Sequence, residues 1–202
     1  MPRKRRRNSI WRQPFIQLLV AGIVVVSGFL VVRTTAVWLY ARPFQGKLKA
    51  LADPYGLSSL GLTSEPYFAG KGVVIDRVDR VEDTYTISSR YAWLPAPYRA
   101  KNPEEVRMVV VVDCGGTDVV GSYGSGGRAY LRYCHVTLID QHTRRIVLNK
   151  VFSGEPPPAT IYVDPGETQG DAYGSAPDES EMEDYIRSLL GRSEEGSTSS
   201  KE

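Results

Sequence analysis

The chain has 202 residues, a formal net charge of +2 and 42% hydrophobic residues, which leaves room for one ordinary domain with appendages. Its charge is uneven, because the first 12 residues carry six basic side chains and no acidic one, whereas residues 71–190 carry 18 acidic and 13 basic side chains. A mildly acidic domain is a poor candidate for binding a polyanion, since phosphates are held by clustered Lys and Arg. We therefore expect no nucleic acid partner for it.

An uncharged apolar run follows the basic tail of residues 1–12. It extends from Gln13 to Val32, is interrupted by Arg33 and continues to Tyr40. About 20 apolar residues are enough to span the hydrocarbon core of a bilayer. Basic residues before a span favour a cytoplasmic N-terminus. Residues 13–40 therefore predict a signal anchor in the cell membrane, with the lipid bilayer as partner and the rest of the chain extracytoplasmic.

Two other interpretations of the N-terminus stay open. The small residues "TTA" before Val37 form a tolerable cleavage site, so the run could be a cleaved signal peptide, although it is longer than the usual apolar region of one. The tail "RKRRR" also resembles a nuclear or nucleic-acid-binding signal. A span directly after the basic cluster explains the same charges without that assumption.

Residues 41–70 are punctuated by prolines and glycines and predict a stalk or linker. Compact β-branched or alternating runs after it predict a domain over residues 71–190, with strands at "GVVIDRV", "TYTIS", "VRMVVVVDC", "RAYLRYCHVTLID" and "RRIVLNKVF". The four consecutive valines predict a strand buried on both faces. Between these strands, Asn102 predicts the cap of a single helical turn at "PEEV".

A helix is predicted near the end of the domain. Its apolar stripe has helical spacing, and Ser175 is the expected N-cap, with Gly191 following the end. The stripe consists of Met182, Tyr185, Ile186, Leu189 and Leu190. Residues 191–202 have the composition of a disordered tail. These elements predict an α+β fold, in which a small antiparallel sheet is packed by the C-terminal helix.

Both cysteines lie in the stretch "DCGGTDVVGSYGSGGRAYLRYC", on either side of a glycine-rich loop. A symmetric hairpin centred on Gly124 places Cys114 opposite Cys134, with two valine- or leucine-containing pairs on the same face. Directly opposite residues suit a disulfide, and an extracytoplasmic compartment permits oxidation. The alternatives are two buried free thiols, or a redox or metal role. A metal site normally needs four ligands, and the chain has two cysteines and two histidines.

The glycine-rich loop also matches a dinucleotide-binding pattern, "GSGGRA". That pattern requires a helix after the glycines, and the following residues alternate as a strand. A hairpin tip is therefore the simpler interpretation. We expect no cofactor, no metal and no catalytic residue.

Two groups of residues are candidates for function. The hairpin register places Asp113 opposite His135, which could orient a general base, although a cross-strand polar pair of modest strength explains it equally. Loop aromatics among prolines suit a recognition surface for peptide or glycan, although such rings also plug the edge of a small core. These aromatics are Tyr91, Trp93, Tyr98 and Tyr162.

The landmarks "LPAPYRAKNPEEV", "VVVV", "VGSYGSGGRAY", "VTLID", "FSGEPPP" and "EMEDYIRSLL" together resemble a domain that recurs in bacterial membrane-anchored or exported proteins of unassigned function. The resemblance implies bacterial origin and an exported domain, and it implies no catalytic residue. The function expected is binding or scaffolding of an unknown extracytoplasmic protein or glycan partner. The alternatives are an exported enzyme, perhaps hydrolytic, that uses Asp113 and His135, and a nucleic-acid binder that uses the basic tail.

Overall fold

The structure is a computed structural model that describes residues 14–52, 66–124, 126–160 and 170–192. The chain divides into two compact units, residues 1–40 and residues 41–202. Three α-helices are described: α1 (Pro14–Ala41), α2 (Leu48–Ala52) and α3 (Glu179–Leu189). Six strands are described: β1 (Lys71–Asp79), β2 (Thr84–Ile87), β3 (Val106–Ser122), β4 (Arg128–Asp140), β5 (Arg145–Ser153) and β6 (Ala172–Tyr173).

Helix α1 is long and apolar enough to cross a membrane. It has 28 residues, with apolar side chains on all sides. Its apolar stretch has a mean hydropathy of 2.1 and no buried residue, and a signal sequence near an N-terminus meets the same criteria. Trp38, near the C-terminal end of this helix, is exposed, and tryptophan rings favour the headgroup level of a bilayer. The basic tail and the side chain of Arg33 lie outside the described residues.

The strands form one sheet in the order β2-β1-β3-β4-β5, and the short β6 pairs with β4. All five predicted strands are present, and with α3 they confirm the α+β class. The sheet is mixed, however, and not purely antiparallel, because β3 runs parallel to β1. The physical reason is the length of the connection from β2 to β3. Residues 88–105 form three short 3₁₀ turns, which is enough chain to cross over the sheet instead of returning as a hairpin.

The sheet has two buried faces. One face packs against α3, and its core includes Val110 and Val112 of β3 together with Leu138 of β4. The other face carries Val109 and Val111, which are 0% and 8% exposed. The four-valine run is thus buried on both sides, as its composition predicts.

The prediction of a stalk over residues 41–70 is wrong for the part of that range that the structure describes. Phe44 and Ala52 are buried, and α2 lies against β2 and β3. The Gln141 side-chain amide donates a hydrogen bond of 2.7 Å to the Leu51 carbonyl oxygen. On the other side of the sheet Phe68 is buried in the core and its amide donates to the Leu189 carbonyl at 3.2 Å. The folded unit therefore begins at residue 41, because these apolar side chains complete a core that the later strands leave open.

The helix predicted near the end of the domain is present as α3, but its N-cap differs from the predicted one. Met182, Ile186 and Leu189 of α3 are buried, as the apolar stripe predicts. The N-cap is Asp178, whose carboxylate accepts from the Ser180 amide at 2.8 Å, and not Ser175. Proline at position 177 disfavours helical backbone in the residue before it, so the helix begins later than the apolar pattern alone indicates.

The β3–β4 hairpin pairs Cys114 with Cys134, Val112 with Val136 and Val110 with Leu138, as predicted. At the tip, however, Ser122 pairs with Arg128, so the turn is centred one residue beyond Gly124. Two extra residues on β3, Gly115 and Val120, each shift the pairing by one. These two bulges bring the register back to the predicted pairing by the time the strands reach the cysteines.

Candidate functional site

A polar cavity of about 290 Å³ opens on the face of the sheet opposite α3. All five main strands or the turns between them contribute to it. Cross-strand partners lie on the same face, and the register pairs Arg77 with Tyr85, Asp113 with His135 and Thr137 with Asn149. The cavity is lined by Ala52, Arg77, Asp83, Tyr85, Val111, Asp113, His135, Thr137, Ile139, Ile146 and Asn149.

The polar character of this cavity arises from the sequence of the strands. Along this face β3 changes from Val111 to Asp113, and β4 changes from Ile139 through Thr137 to His135. Because side chains two residues apart share a face, each strand gives an apolar floor at one end and a polar wall at the other.

The charged groups at the cavity neutralise one another. The Asp113 carboxylate accepts from the Arg80 Nε at 2.9 and 3.1 Å, and from the Arg77 guanidinium at 3.4 Å. Arg77 also donates to Asp83. Two guanidinium groups thus face two carboxylates. Burial lowers the pKa of Arg77, but the hydrogen bond to Asp83 and the nearby acidic groups outweigh it and raise this pKa from its ordinary value. Arg77 therefore stays charged.

A second group of polar side chains lines the cavity on β4 and β5. Within the described part of the chain, the side chains of His135, Thr137 and Asn149 make no hydrogen bond or ion pair. The His135 ring is held edge-to-face against Tyr133, with 5.2 Å between the ring centroids. Three polar side chains on adjacent strands therefore present free donors and acceptors to one cavity.

Asp113 and His135 lie opposite each other as predicted, but they do not form a catalytic dyad. Both oxygens of Asp113 are taken by arginines, and no hydrogen bond joins its carboxylate to the imidazole in the described residues. In a His–Asp dyad the carboxylate hydrogen-bonds to the imidazole and orients it, and this contact is absent from the described residues. In this geometry Asp113 orients guanidinium groups instead.

Of the aromatic residues predicted as a recognition surface, Trp93 is buried, and Tyr91 and Tyr98 are half-buried. Trp93 is 4% exposed and lies in the core beside α3. Tyr98 packs edge-to-face on Phe68, with 6.2 Å between ring centroids. The guanidinium carbon of Arg99 lies over the Tyr91 ring, 5.0 Å from the ring centroid. Trp93 and Tyr98 pack at the edge of the core, where Phe68 of the predicted stalk region also lies. Tyr162 lies outside the described residues.

The cysteine pair is a disulfide, with its sulfurs 2.05 Å apart. Cys134 is buried and Cys114 is exposed. The glycine-rich segment between them is a hairpin tip, closed by a hydrogen bond of 2.8 Å from the Tyr123 amide to the Gly127 carbonyl. A strand follows it, so the phosphate-binding arrangement at a helix N-terminus is not formed here.

Sequence reasoning missed most of the cavity. It found Asp113 and His135 through the hairpin register, but not Arg77, Thr137 or Asn149. One signal was available in β5, where an asparagine interrupts "RIVLNKVF" although asparagine is disfavoured in strands. Among the described residues, no group of three or more His, Cys, Asp or Glu side chains is arranged to hold a metal ion.

Comparisons with protein-family models, with curated protein sequences and with solved structures find no match to this chain. The resemblance to a recurring bacterial exported domain stays a prediction.

Proposed function

We propose that this protein is a single-pass membrane protein that presents an extracytoplasmic binding domain. The observation that carries the proposal is α1, a 28-residue apolar helix whose apolar stretch has no buried residue. An exposed apolar helix of this length is stable in a bilayer and costly in water. The basic residues before it favour a cytoplasmic N-terminus and an external C-terminal unit.

The disulfide supports the proposed compartment. Disulfides persist in oxidising environments outside the cytoplasm. Cys114 is exposed to solvent, so a reducing cytoplasm would have access to the bond. A domain held by such a bond is more stable on the outer side of the membrane.

Binding is supported over catalysis by the cavity. Its aspartate is held by two arginines, whereas the side chains of His135, Thr137 and Asn149 make no hydrogen bond within the described residues. Such a site recognises a molecule by complementary hydrogen bonds without needing a nucleophile.

Membrane fractionation tests the anchor. Membranes from cells that express the full chain are washed with alkaline carbonate, and the protein is followed in pellet and supernatant. The retained anchor predicts that the protein stays in the pellet and that its intact mass includes the N-terminal tail. Release into the supernatant, or a mature chain that begins near Val37, contradicts the proposal and favours a cleaved signal peptide.

A further inference from the structure

We propose that the polar cavity binds one neutral sugar unit. The proposal deepens the proposed function and rests on it for where the ligand is met, which is the outer surface. The starting point is the row formed by His135, Thr137 and Asn149, whose side chains face one cavity without partners in the described residues. Thr137 and Asn149 are direct cross-strand neighbours, so their polar atoms are close enough to contact the same small ligand.

The ligand is neutral because each charged side chain that lines the cavity is already in an ion pair. Arg77 and Arg80 are engaged by Asp83 and Asp113, so an anion would have to displace a carboxylate and a cation would have to displace a guanidinium. The side chains without partners in the described residues carry a hydroxyl, an amide and an imidazole, and a hydroxyl, an amide and a neutral imidazole can each both donate and accept. Sugar hydroxyls have the same dual character.

The shape of the cavity suits a single ring. Its volume is about 290 Å³, just below the usual range for pockets that bind drug-sized ligands, which suits a smaller molecule. Its floor is apolar, formed by Ala52, Val111, Ile139 and Ile146, and its walls are polar. A pyranose ring has an apolar face of C–H groups and a rim of hydroxyls, which is the complementary arrangement.

A peptide fits this site less well. Extended peptides are usually recognised through main-chain hydrogen bonds at the edge of a sheet. This cavity lies on the face of the sheet, over β3 and β4, whose backbone groups are used in pairing with their neighbours on both sides. Recognition here depends on side chains alone, which suits a polyol.

Saturation-transfer NMR tests the proposal with the full chain in lipid nanodiscs. The probes are the methyl glycosides of glucose, galactose and mannose and of N-acetylglucosamine. We expect transfer to the ring protons of at least one glycoside, with a dissociation constant that the Thr137→Val substitution raises roughly 3- to 10-fold, the cost of one hydrogen bond. Valine keeps the shape and the strand preference of threonine, so the fold is retained. The Asn149→Ala variant is expected to act in the same direction.

Thr117→Val is the matched control, because Thr117 is exposed and pairs with Arg132 on the other face of the hairpin. It should leave binding unchanged. The proposal is overturned if no glycoside shows transfer at tens of millimolar, or if Thr137→Val binds as tightly as the native chain. Transfer to N-acetyl dipeptide amides with none to the glycosides overturns it in favour of a peptide site. Because the assay does not depend on orientation in cells, its failure leaves the membrane proposal standing, and the reverse also holds.

Discussion

Opening the Cys114–Cys134 disulfide should destabilise the C-terminal unit by about 3 kcal/mol. The two cysteines are 20 residues apart along the chain. The chain-entropy relation gives a loss of about 11 cal/mol/K in the unfolded ensemble for a loop of that length, or about 3.3 kcal/mol at 25 °C. In a protein of this size that corresponds to a fall in Tm of roughly 6–12 °C.

The assay is guanidinium unfolding of the full chain in detergent, followed by the fluorescence of Trp93. This residue is 4% exposed in the core, so its emission reports on that unit, once Trp11 and Trp38 are replaced by Phe. Oxidised and reduced protein are compared, which isolates the cross-link from any change in side-chain volume. The Cys114→Ala/Cys134→Ala variant is the control, since reductant must leave its midpoint unchanged. A difference below about 1 kcal/mol between oxidised and reduced protein would refute the loop-entropy reasoning.

Three further predictions concern the same unit and are measured by the same unfolding assay. Asp140→Asn should cost about 3 kcal/mol, because the buried carboxylate of Asp140 accepts from the Tyr67 hydroxyl at 2.9 Å and from two backbone amides; the exposed Asp118→Asn is the control, and an equal effect of both would contradict the reasoning. Gly154→Ala should lower the free energy of unfolding by more than about 2 kcal/mol, because a Cβ there would lie within 3 Å of backbone atoms of residues 175 and 176. Gly124→Ala is the control and should cost less than about 1 kcal/mol, since the space around Gly124 is open. Comparable losses of stability in the two variants would argue against the close approach at Gly154. The protein should lose stability as the pH falls below about 4.5, because hydrogen bonds and ion pairs lower the pKa of several exposed carboxyl groups in the folded state. The contribution of these groups to the free energy of unfolding is present above their ordinary pKa and is lost as the pH falls through their folded pKa. A flat unfolding midpoint between pH 6 and about 3 would contradict this prediction. The groups with a lowered pKa, each with its largest cause, are Asp79 (the Glu82 amide), Glu104 (Lys47), Glu105 (the Lys101 amide) and Asp178 (Ser180).

The hairpin was predictable because its information is local. Alternation along two strands and a glycine-rich turn between them determine which residues face each other, so Cys114 and Cys134 were paired correctly from the sequence. The bulges at Gly115 and Val120 were not foreseen, since a bulge changes the count by one residue without changing the apolar pattern.

The cavity and the boundary of the domain depend on contacts between distant parts of the chain. Nothing in the proline-punctuated sequence after Ala41 shows that Phe44 and Ala52 complete a core built by β1–β5. The parallel pairing of β1 with β3 is equally non-local, and it is this pairing that brings Arg77 beside Asp113. Trp93 and Tyr98 were open to two interpretations; Trp93 is buried in the core, and Tyr98 is half-buried against Phe68.

The central claim is that the disulfide-bonded unit lies outside the cytoplasm. Labelling of intact cells with a small membrane-impermeant maleimide, before and after an impermeant reductant, tests it most directly. We expect that Cys114, the exposed member of the pair, is labelled in intact cells only after reduction. A cysteine at Ser9, in a variant with both native cysteines replaced by Ala, should be labelled only after lysis. Labelling of the native cysteines only after lysis, or without reductant, would contradict the account.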